Sequence, residues 1–291
     1  MSERAPAKIN VCLFVGGTRE ADGRHELVSV MQAVDLADEL RLGPASGADE
    51  VSCPEVEGPN LVADAIAAFR ARTGWNGSPV RIEVKKRIPV AAGMAGGSAD
   101  AAAALRLLAR EARVDDVELL REIAAGLGAD VPAQVLPGRY LATGAGEDVE
   151  ALTPVWPGYS VLVLPSDARL STPAVYREFD RLGLERSPAD LAARLAEVRA
   201  ATVRRPGALP DALVLNDLAP AAISLLPSIE EALAHVRDAG ADHALVAGSG
   251  PTVLGLFGDA AAARAAAQAL RRHHPRLVLT EPVVAAAGRA R

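Results

Sequence analysis

A cluster of glycines stands between a strand-like stretch and a helix-like stretch near the middle of the chain. Gly93, Gly96, Gly97 and Ser98 follow Pro89. Glycine backbone adopts conformations closed to other residues and lets a phosphate approach the main chain closely. The first N–H groups of a helix are unpaired and carry partial positive charge, so the stretch predicts a phosphate site. The alternative is a plain strand-to-helix connection with Ser98 as the helix N-cap.

The residues around this loop narrow the kind of nucleotide site it could form. Lys85, Lys86 and Arg87 lie just upstream and are expected to add local positive charge. The loop is not a Walker A motif, because no Lys follows its last Gly, and it does not fit GxGxxG. The pattern therefore predicts a nucleotide kinase outside the P-loop class.

Two further residues could carry the chemistry of such a kinase. Lys8 and Asn10 share one face of a predicted strand, for which an edge strand facing water is the alternative. Lysine is rare here, and its compact ammonium can sit beside a carboxylate or phosphate where a guanidinium does not fit. Asp130 is the single acid of a glycine-flanked apolar segment, which suits a catalytic base. Its alternative role is to cap a short helix with Pro132 in the first turn.

The elements that position these residues follow from hydrophobic periodicity and from turn signals. Strands are predicted over residues 7–15, in pieces of 25–42, and over 80–84, 160–164, 244–247, 252–257 and 277–284. Helices are predicted over residues 61–72, for about four turns from 98, and over 114–125, 172–182, 188–201, 216–225, 228–239 and 259–273. Strands that alternate with helices in the second half predict an α+β sandwich. A boundary is expected between domains 1–153 and 154–291, and residues 204–210 read as a linker.

Composition narrows the class of protein and the kinds of partner that are expected. The chain has 291 residues, half of them hydrophobic and 23% charged, which predicts a folded globular protein. A net charge of −6 argues against nucleic acid as a partner. No apolar run approaches a membrane span and the N-terminus lacks a signal-peptide pattern, so a cytoplasmic protein without a membrane partner is expected. Cys12 and Cys53 are too few for a metal quartet or a disulfide framework.

Three motifs, in this order, are more specific together than any one of them. APAKIN, PVAAGMAGGSADAA and AGSGPT resemble the three motifs of the GHMP small-molecule kinases. The segments ADGRHEL, GPNLV, LGADVP and NDLAP are similar to those of superfamily members that phosphorylate a cytidine-diphosphate-linked methylerythritol in the non-mevalonate isoprenoid pathway. The resemblance covers nearly the whole chain. It implies a two-domain α+β fold, with an N-terminal ribosomal-protein-S5-like ATP-binding domain and a C-terminal ferredoxin-like α/β sandwich.

The resemblance also implies a role for each matching position, with ATP and Mg²⁺ as cofactors and the 2-hydroxyl of the substrate as acceptor. Lys8 and Asp130 would be the catalytic pair, and Asn60 would lie near the adenosine. Asn10 and His25 would contact the cytidine end or the erythritol, and Tyr176 would offer an aromatic face to the cytosine. The turn formed by Gly248, Ser249 and Gly250 would help to enclose the diphosphate and the transferred phosphoryl group. The loop around the ATP phosphates would consist of Pro89, Val90, Ala91, Ala92, Gly93, Met94, Ala95, Gly96, Gly97, Ser98 and Ala99.

The sequence departs from this pattern at two positions and leaves some alternatives open. Arg24 stands where these kinases usually have Tyr, and Ala99 stands where many have a second Ser. An acidic Mg²⁺ ligand is not identifiable. The alternatives are another GHMP kinase, acting on mevalonate, homoserine or a sugar, and a non-catalytic nucleotide-binding protein on the same scaffold. The oligomeric state is left open.

Overall fold

The computed structural model describes residues 1–56, 58–90, 92–153, 159–204 and 209–283, with only the backbone of residue 204. The chain divides into two compact units. Unit 1 comprises Met1–Lys8, Leu36–Val90 and Ala95–Pro137. Unit 2 comprises Ile9–Asp35, Ala91–Met94 and Gly138–Arg291. The predicted division between residues 153 and 154 stays a prediction, and most of the predicted linker at 204–210 lies outside the described residues.

Two long strands, β1 (Ser2–Thr18) and β2 (His25–Pro44), pair with each other, and each contributes residues to both units. β1 is longer than predicted. Its residues 5–16 are all buried, so neither face of this part of the strand is exposed to solvent. The alternative in which Lys8 and Asn10 face water on an edge strand is wrong in its exposure, since both residues are buried. In unit 2, β1 also bridges to Asn216 through Leu13. A partner 203 positions away could not be inferred from a local period of two.

In unit 1, two further strands, β3 (Glu50–Ser52) and β4 (Val80–Lys85), complete the sheet pairing. β4 pairs antiparallel with the second half of β2 and parallel with β3. Val80, Ile82 and Val84 are buried between exposed polar neighbours, which confirms the predicted alternation. The strand therefore ends, as predicted, just before the glycine loop.

Four helices build the rest of unit 1: α1 (Leu61–Thr73), α2 (Gly96–Ala112), α3 (Val117–Ala125) and α4 (Val131–Val135). α2 packs against α1 and α4. Its alanines from Ala101 to Ala104 are completely buried, and their small side chains allow the helices to pack closely. The predicted limits of α1 are confirmed: the Asn60 side chain accepts a hydrogen bond from Val62 N, and Gly74 ends the helix at φ 68°. α3 begins later than predicted, because Asp116 caps it.

The prediction that Ser98 caps α2 is wrong. The helix begins two residues earlier, after Ala95, which takes the left-handed conformation at φ 53°. No side chain caps this end. Gly96 and Gly97 thus form the first turn with Ser98 as its third residue, and the unpaired N–H groups that open the helix are those of a glycine pair.

Unit 2 contains a four-stranded antiparallel sheet covered by helices. Its strand order is β10 (Val278–Thr280), β7 (Ser160–Leu164), β9 (Val253–Phe257) and β8 (His243–Val246). α8 (Ser228–Asp238) packs against β8 and β9, and α9 (Ala260–Leu270) packs against β7, β9 and β10. This is the predicted C-terminal α/β sandwich. The last strand is shorter than predicted, and residue 284 lies outside the described residues.

The remaining elements of unit 2 are β5 (Arg139–Thr143), β6 (Asp148–Ala151), α5 (Thr172–Arg181), α6 (Pro188–Arg204), α7 (Ala219–Leu225) and a 3₁₀ turn (Asp211–Leu213). β5 pairs antiparallel with the first half of β2 and with β6. α5 packs against α7. Of the helices in the described ranges, none is both long and apolar enough to cross a membrane. The α+β class predicted from the sequence is confirmed.

Candidate active site

Unit 1 brings the two predicted catalytic residues together. Lys8 lies on β1 with its side chain 9% exposed, and its Nζ is 3.4 Å from Oδ1 of Asp130, whose side chain is 33% exposed. The sequence left open whether these residues meet. The exposed fraction of the Asp130 side chain leaves room for a substrate hydroxyl beside the Lys8 ammonium.

Asp130 owes its position to the short helix that follows it. It occupies the N-cap position of α4, with Pro132 in the first turn, as the capping alternative predicted. Its side chain nevertheless makes no capping hydrogen bond. The carboxylate is therefore not engaged by the helix amides and faces Lys8 instead.

The phosphate site that the sequence predicts would lie at the start of α2 in unit 1, and it stays a prediction. Gly97 is exposed, and a Cβ there would meet Leu61 Cδ1 at 3.9 Å. Ser98 is half-buried and Ala99 is buried. Pro89 is half-buried and Val90 is exposed on the approach to this turn, while Ala91 lies outside the described residues. An open helix N-terminus of glycines is a suitable cradle for phosphate oxygens.

Lys86 does not contribute the positive charge that was expected at this loop. Its Nζ contacts the carboxylates of Asp38 and Asp100, the second at 2.7 Å, and all three side chains are buried. Arg87 pairs with Glu39 through its exposed guanidinium. The expectation that Lys86 and Arg87 add a local field for phosphate is therefore wrong, because their charges are already neutralised by carboxylates that are distant in sequence.

The buried cluster of Asp38, Lys86 and Asp100 has an unusual charge balance. Burial and the neighbouring Asp38 carboxylate raise the pKa of Asp100 to about 7, although the Lys86 ammonium opposes them. Burial alone would lower the pKa of Lys86, but the two carboxylates outweigh it and raise that pKa. With a proton on Asp100 the cluster is neutral, which is the state that burial favours.

In unit 2, part of the predicted phosphate loop lies directly against the predicted substrate turn. A Cβ on Gly93 would lie 1.9 Å from the Ala247 carbonyl oxygen, and one on Gly248 would lie 2.9 Å from the Gly93 carbonyl oxygen. Gly93 and Gly250 both have positive φ, at 72° and 79°. Only glycine permits this approach of two backbones. Ala92 and Met94, on either side of Gly93, are buried.

Asn216 holds the substrate turn and is not among the site residues predicted from the sequence. Its Nδ2 donates to the carbonyl oxygens of Val246 at 2.8 Å and Gly248 at 2.7 Å, and its Oδ1 accepts from Leu218 N. The NDLAP motif was the available signal. Because Asn216 is used in this way, α7 begins at Ala219 rather than at 216 as predicted.

Two further polar side chains of unit 2 lie at the same turn. Ser249 and Thr172 are hydrogen-bonded through their hydroxyl groups at 2.8 Å. Asn10, whose Nδ2 donates to Ser29 Oγ at 2.7 Å, has its Oδ1 3.6 Å from where a Cβ on Gly248 would stand. Asn10, Gly93 and the Gly248–Gly250 turn are thus brought together within unit 2.

His25 and Tyr176, both assigned to the substrate by the resemblance, form an aromatic pair. Their ring centroids are 4.9 Å apart, and the Phe179 ring lies nearly perpendicular to His25 at a centroid distance of 5.9 Å. His25 Nε2 is 2.6 Å from Oδ1 of Asp180, a partner that the sequence reasoning missed. Asp180 lies four residues after Tyr176 on α5, on the same helix face. The carboxylate fixes the orientation of the imidazole ring.

Arg24, which stands where related kinases have Tyr, is engaged away from the aromatic rings. Its Nη2 donates to the Ala145 carbonyl oxygen at 3.1 Å and lies 3.6 Å from Glu147 Oε2. Stacking of Arg24 on a base would require these contacts to break. In the described part of this site, the Tyr176 ring is half-buried and Phe179 is fully buried, so of these two rings Tyr176 is the one that a base could reach.

The donor set for a metal is limited. Among the side chains of the described ranges, no group of three or more His, Cys, Asp or Glu residues could hold a metal ion. Mg²⁺ commonly keeps several waters and binds through substrate phosphates with one or two carboxylates.

Comparison with known proteins bears on the family of this chain. Residues 60–138 match the GHMP kinases N terminal domain, and residues 189–276 match the GHMP kinases C terminal. The 4-diphosphocytidyl-2-C-methyl-D-erythritol kinase of Streptomyces coelicolor is 44% identical over 92% of this chain and 91% of its own length. The kinase of the same name from a Nocardioides species is 42% identical over 98% of both chains.

A solved structure extends the comparison to the fold. The crystal structure of a 4-(cytidine 5'-diphospho)-2C-methyl-D-erythritol kinase superposes with a TM-score of 0.79 at 33% identity, covering 97% of this chain and 99% of that one. This likeness confirms the two-domain α+β fold that the three motifs implied. The chain belongs to the GHMP kinases and, within them, to the family of 4-diphosphocytidyl-2-C-methyl-D-erythritol kinases.

Proposed function

We propose that this chain transfers the γ-phosphoryl group of ATP to the 2-hydroxyl of 4-diphosphocytidyl-2-C-methyl-D-erythritol, giving the 2-phosphate and ADP in the non-mevalonate isoprenoid pathway. The observation that carries the proposal is the contact of Lys8 with Asp130 in unit 1, beside full-length similarity to kinases of that name. A nucleotide-binding module without chemistry would need neither residue. Because ATP and the acceptor are soluble metabolites, we assign the reaction to the cytoplasm.

In the proposed reaction, Asp130 accepts the proton of the attacking 2-hydroxyl. Its carboxylate is partly exposed and makes no capping hydrogen bond, so it retains acceptor capacity for a substrate. Lys8 stabilises negative charge on the hydroxyl oxygen as the proton leaves. Phosphoryl transfer requires mostly positioning and electrostatic stabilisation, which these two residues and helix amides supply.

The ATP phosphates are assigned to the first turn of α2 and the loop before it. The Gly96 and Gly97 amides open that helix, and the helix dipole favours negative charge there. Asn60 is assigned to the adenosine; its Oδ1 already caps α1, so its amide group is the part that would reach the nucleotide. Mg²⁺ is assigned to the nucleotide phosphates, where it neutralises charge, with no resident protein cage.

The cytidine end of the acceptor is assigned to His25 and Tyr176. Asp180 orients the imidazole of His25, and the Tyr176 ring offers a face on which a base can stack. Asn10 and the turn at Gly248, Ser249 and Gly250 are assigned to the acceptor and its diphosphate, as the motif resemblance implies. These assignments rest on position and contacts within unit 2.

The test is ADP release from Mg-ATP by the purified chain, measured with the cytidylylated methylerythritol, mevalonate, homoserine and a sugar in parallel. We expect turnover with the cytidylylated substrate alone. Turnover with another alcohol would keep the ATP and catalytic assignments but replace the acceptor. ATP binding without turnover on any alcohol would favour the non-catalytic alternative.

A further inference from the structure

A buried arginine of α2, Arg106, joins the two segments that carry the catalytic pair. Its side chain is 14% exposed. Nη1 donates to the carbonyl oxygens of Gln134 at 2.6 Å and Val135 at 3.4 Å. Nη2 donates to the Arg4 carbonyl oxygen at 2.7 Å, and Nε donates to Glu3 Oε1 at 3.2 Å. All these residues belong to unit 1.

The first set of contacts stabilises the helix that begins directly after Asp130. Gln134 and Val135 are the last two residues of α4, which has only five residues. So short a helix is not stable by itself, and its final carbonyl groups have no partner within the helix. The Arg106 guanidinium supplies those hydrogen bonds and places positive charge at the negative end of the helix.

The second set of contacts stabilises the part of β1 that lies just before Lys8. Arg4 precedes Lys8 by four residues in β1, and Glu3 is its neighbour. Burial lowers the pKa of Arg106 to about 10, so the guanidinium is still charged at neutral pH. One rigid, planar cation therefore connects the strand of the catalytic ammonium with the helix of the catalytic carboxylate.

We infer that Arg106 is a positioning residue that sets the separation of Lys8 and Asp130, and through it the rate of phosphoryl transfer. The inference rests on the proposed function, for which that pair is the site of proton transfer. A displacement of about 1 Å at reacting groups can cost about 10²-fold in rate. Loss of Arg106 would therefore lower kcat while the affinity for ATP stays nearly unchanged.

Arg110 provides a matched control on the same helix. It lies one turn after Arg106, its side chain is 50% exposed, and its Nη2 contacts the Glu3 carboxylate. It also lies 3.5 Å from the Ser2 carbonyl oxygen. Arg110 therefore contacts Glu3 and the start of β1, as Arg106 does. The hydrogen bonds to α4 come from Arg106.

The experiment compares Arg106→Ala, Arg106→Lys and Arg110→Ala with the unaltered chain. For each, kcat, KM for ATP and the melting temperature are measured, and ATP titration gives the folded fraction. We expect kcat to fall about 10- to 100-fold in both Arg106 variants with KM for ATP within about threefold, and kcat of Arg110→Ala to stay within about twofold. Added guanidinium should restore part of kcat in Arg106→Ala.

The outcomes separate this inference from the proposed function. An unaltered chain that releases no ADP with the cytidylylated substrate contradicts the proposed function. If the unaltered chain is active, a kcat of Arg106→Lys equal to that of Arg110→Ala overturns the role of Arg106. Arg106→Lys keeps the positive charge and nearly the length of the side chain, so it remains a test even if Arg106→Ala does not fold.

Discussion

Two lysines of unit 1 lie against aspartates, but the two arrangements differ in how far the aspartates are exposed to solvent. Lys86 contacts both Asp38 and Asp100, whose side chains are 0% and 4% exposed. Asp38 also accepts a hydrogen bond from the Ile88 backbone N–H at 2.8 Å. Lys8 lies 3.4 Å from an Asp130 carboxylate that is one-third exposed and makes no capping hydrogen bond.

The difference indicates which arrangement can act on a substrate. The carboxylate of Asp38 is buried and occupied by hydrogen bonds from a side chain and the main chain, so a hydroxyl cannot reach it. Its contacts instead fix the exit of β4 and the start of the phosphate loop. Asp130 retains exposed acceptor capacity beside a cation, which is what a general base for an alcohol requires. Two of the few lysines of this chain, Lys86 and Lys8, thus differ in role: the first lies in a buried cluster, and the second lies beside a carboxylate that a substrate can reach.

The largest expected effect is that of Asp130→Asn, which removes the base from the open pair. We expect kcat for ADP release to fall by about 10²- to 10⁴-fold, because the amide cannot take the hydroxyl proton. ATP affinity should change by less than about threefold. The matched control is Asp116→Asn, at the N-cap of α3, where Asn caps as well as Asp. Full activity of Asp130→Asn would exclude Asp130 as the base.

The second test exchanges the lysines one at a time for methionine and follows urea unfolding. Lys86→Met leaves the buried Asp38 carboxylate, next to Asp100, without a cation, so the free energy of unfolding should fall by about 3–5 kcal/mol. Lys8→Met should change it by only about 1 kcal/mol, since Asp130 is partly solvated, while kcat falls strongly. Equal losses of stability in the two variants would contradict the distinction between the buried Lys86 cluster and the partly exposed Lys8–Asp130 pair.

The smallest expected effect is a pH dependence of stability that comes from Asp100. Its pKa is raised from 3.8 to about 7 in the folded chain. Between these values the folded chain holds a proton that the unfolded chain has lost. The contribution of Asp100 therefore makes stability fall as pH rises towards about 7, with a slope approaching about −1.4 kcal/mol per pH unit.

Asp100→Asn should flatten this part of the profile, measured as the free energy of unfolding between pH 5 and pH 8. The exposed Asp115 supplies the control, and Asp115→Asn should keep the slope of the unaltered chain. If Asp100→Asn and the unaltered chain share one slope, Asp100 does not hold the proton and the cluster carries a net negative charge.

Much of the local structure could be predicted from the sequence. The alternation of β4, the caps of α1 at Asn60 and Gly74, and the glycine turn before α2 are encoded by neighbours within a few residues. The same holds for the motif order that indicated a GHMP kinase. The start of α2 was misplaced because a non-glycine residue, Ala95, takes the left-handed conformation there, which composition does not indicate.

What the sequence by itself determined was therefore most of the elements and the family, and it supplied the prediction of which side chains react. Only the tertiary structure decided which charges meet: Lys86 with Asp38 and Asp100, and Arg106 with the ends of α4 and β1. Periodicity and capping are local, whereas these partners are separated by between 14 and 102 residues. The role of a buried charge depends on its partners and on its access to solvent, and both arise only when distant segments pack together.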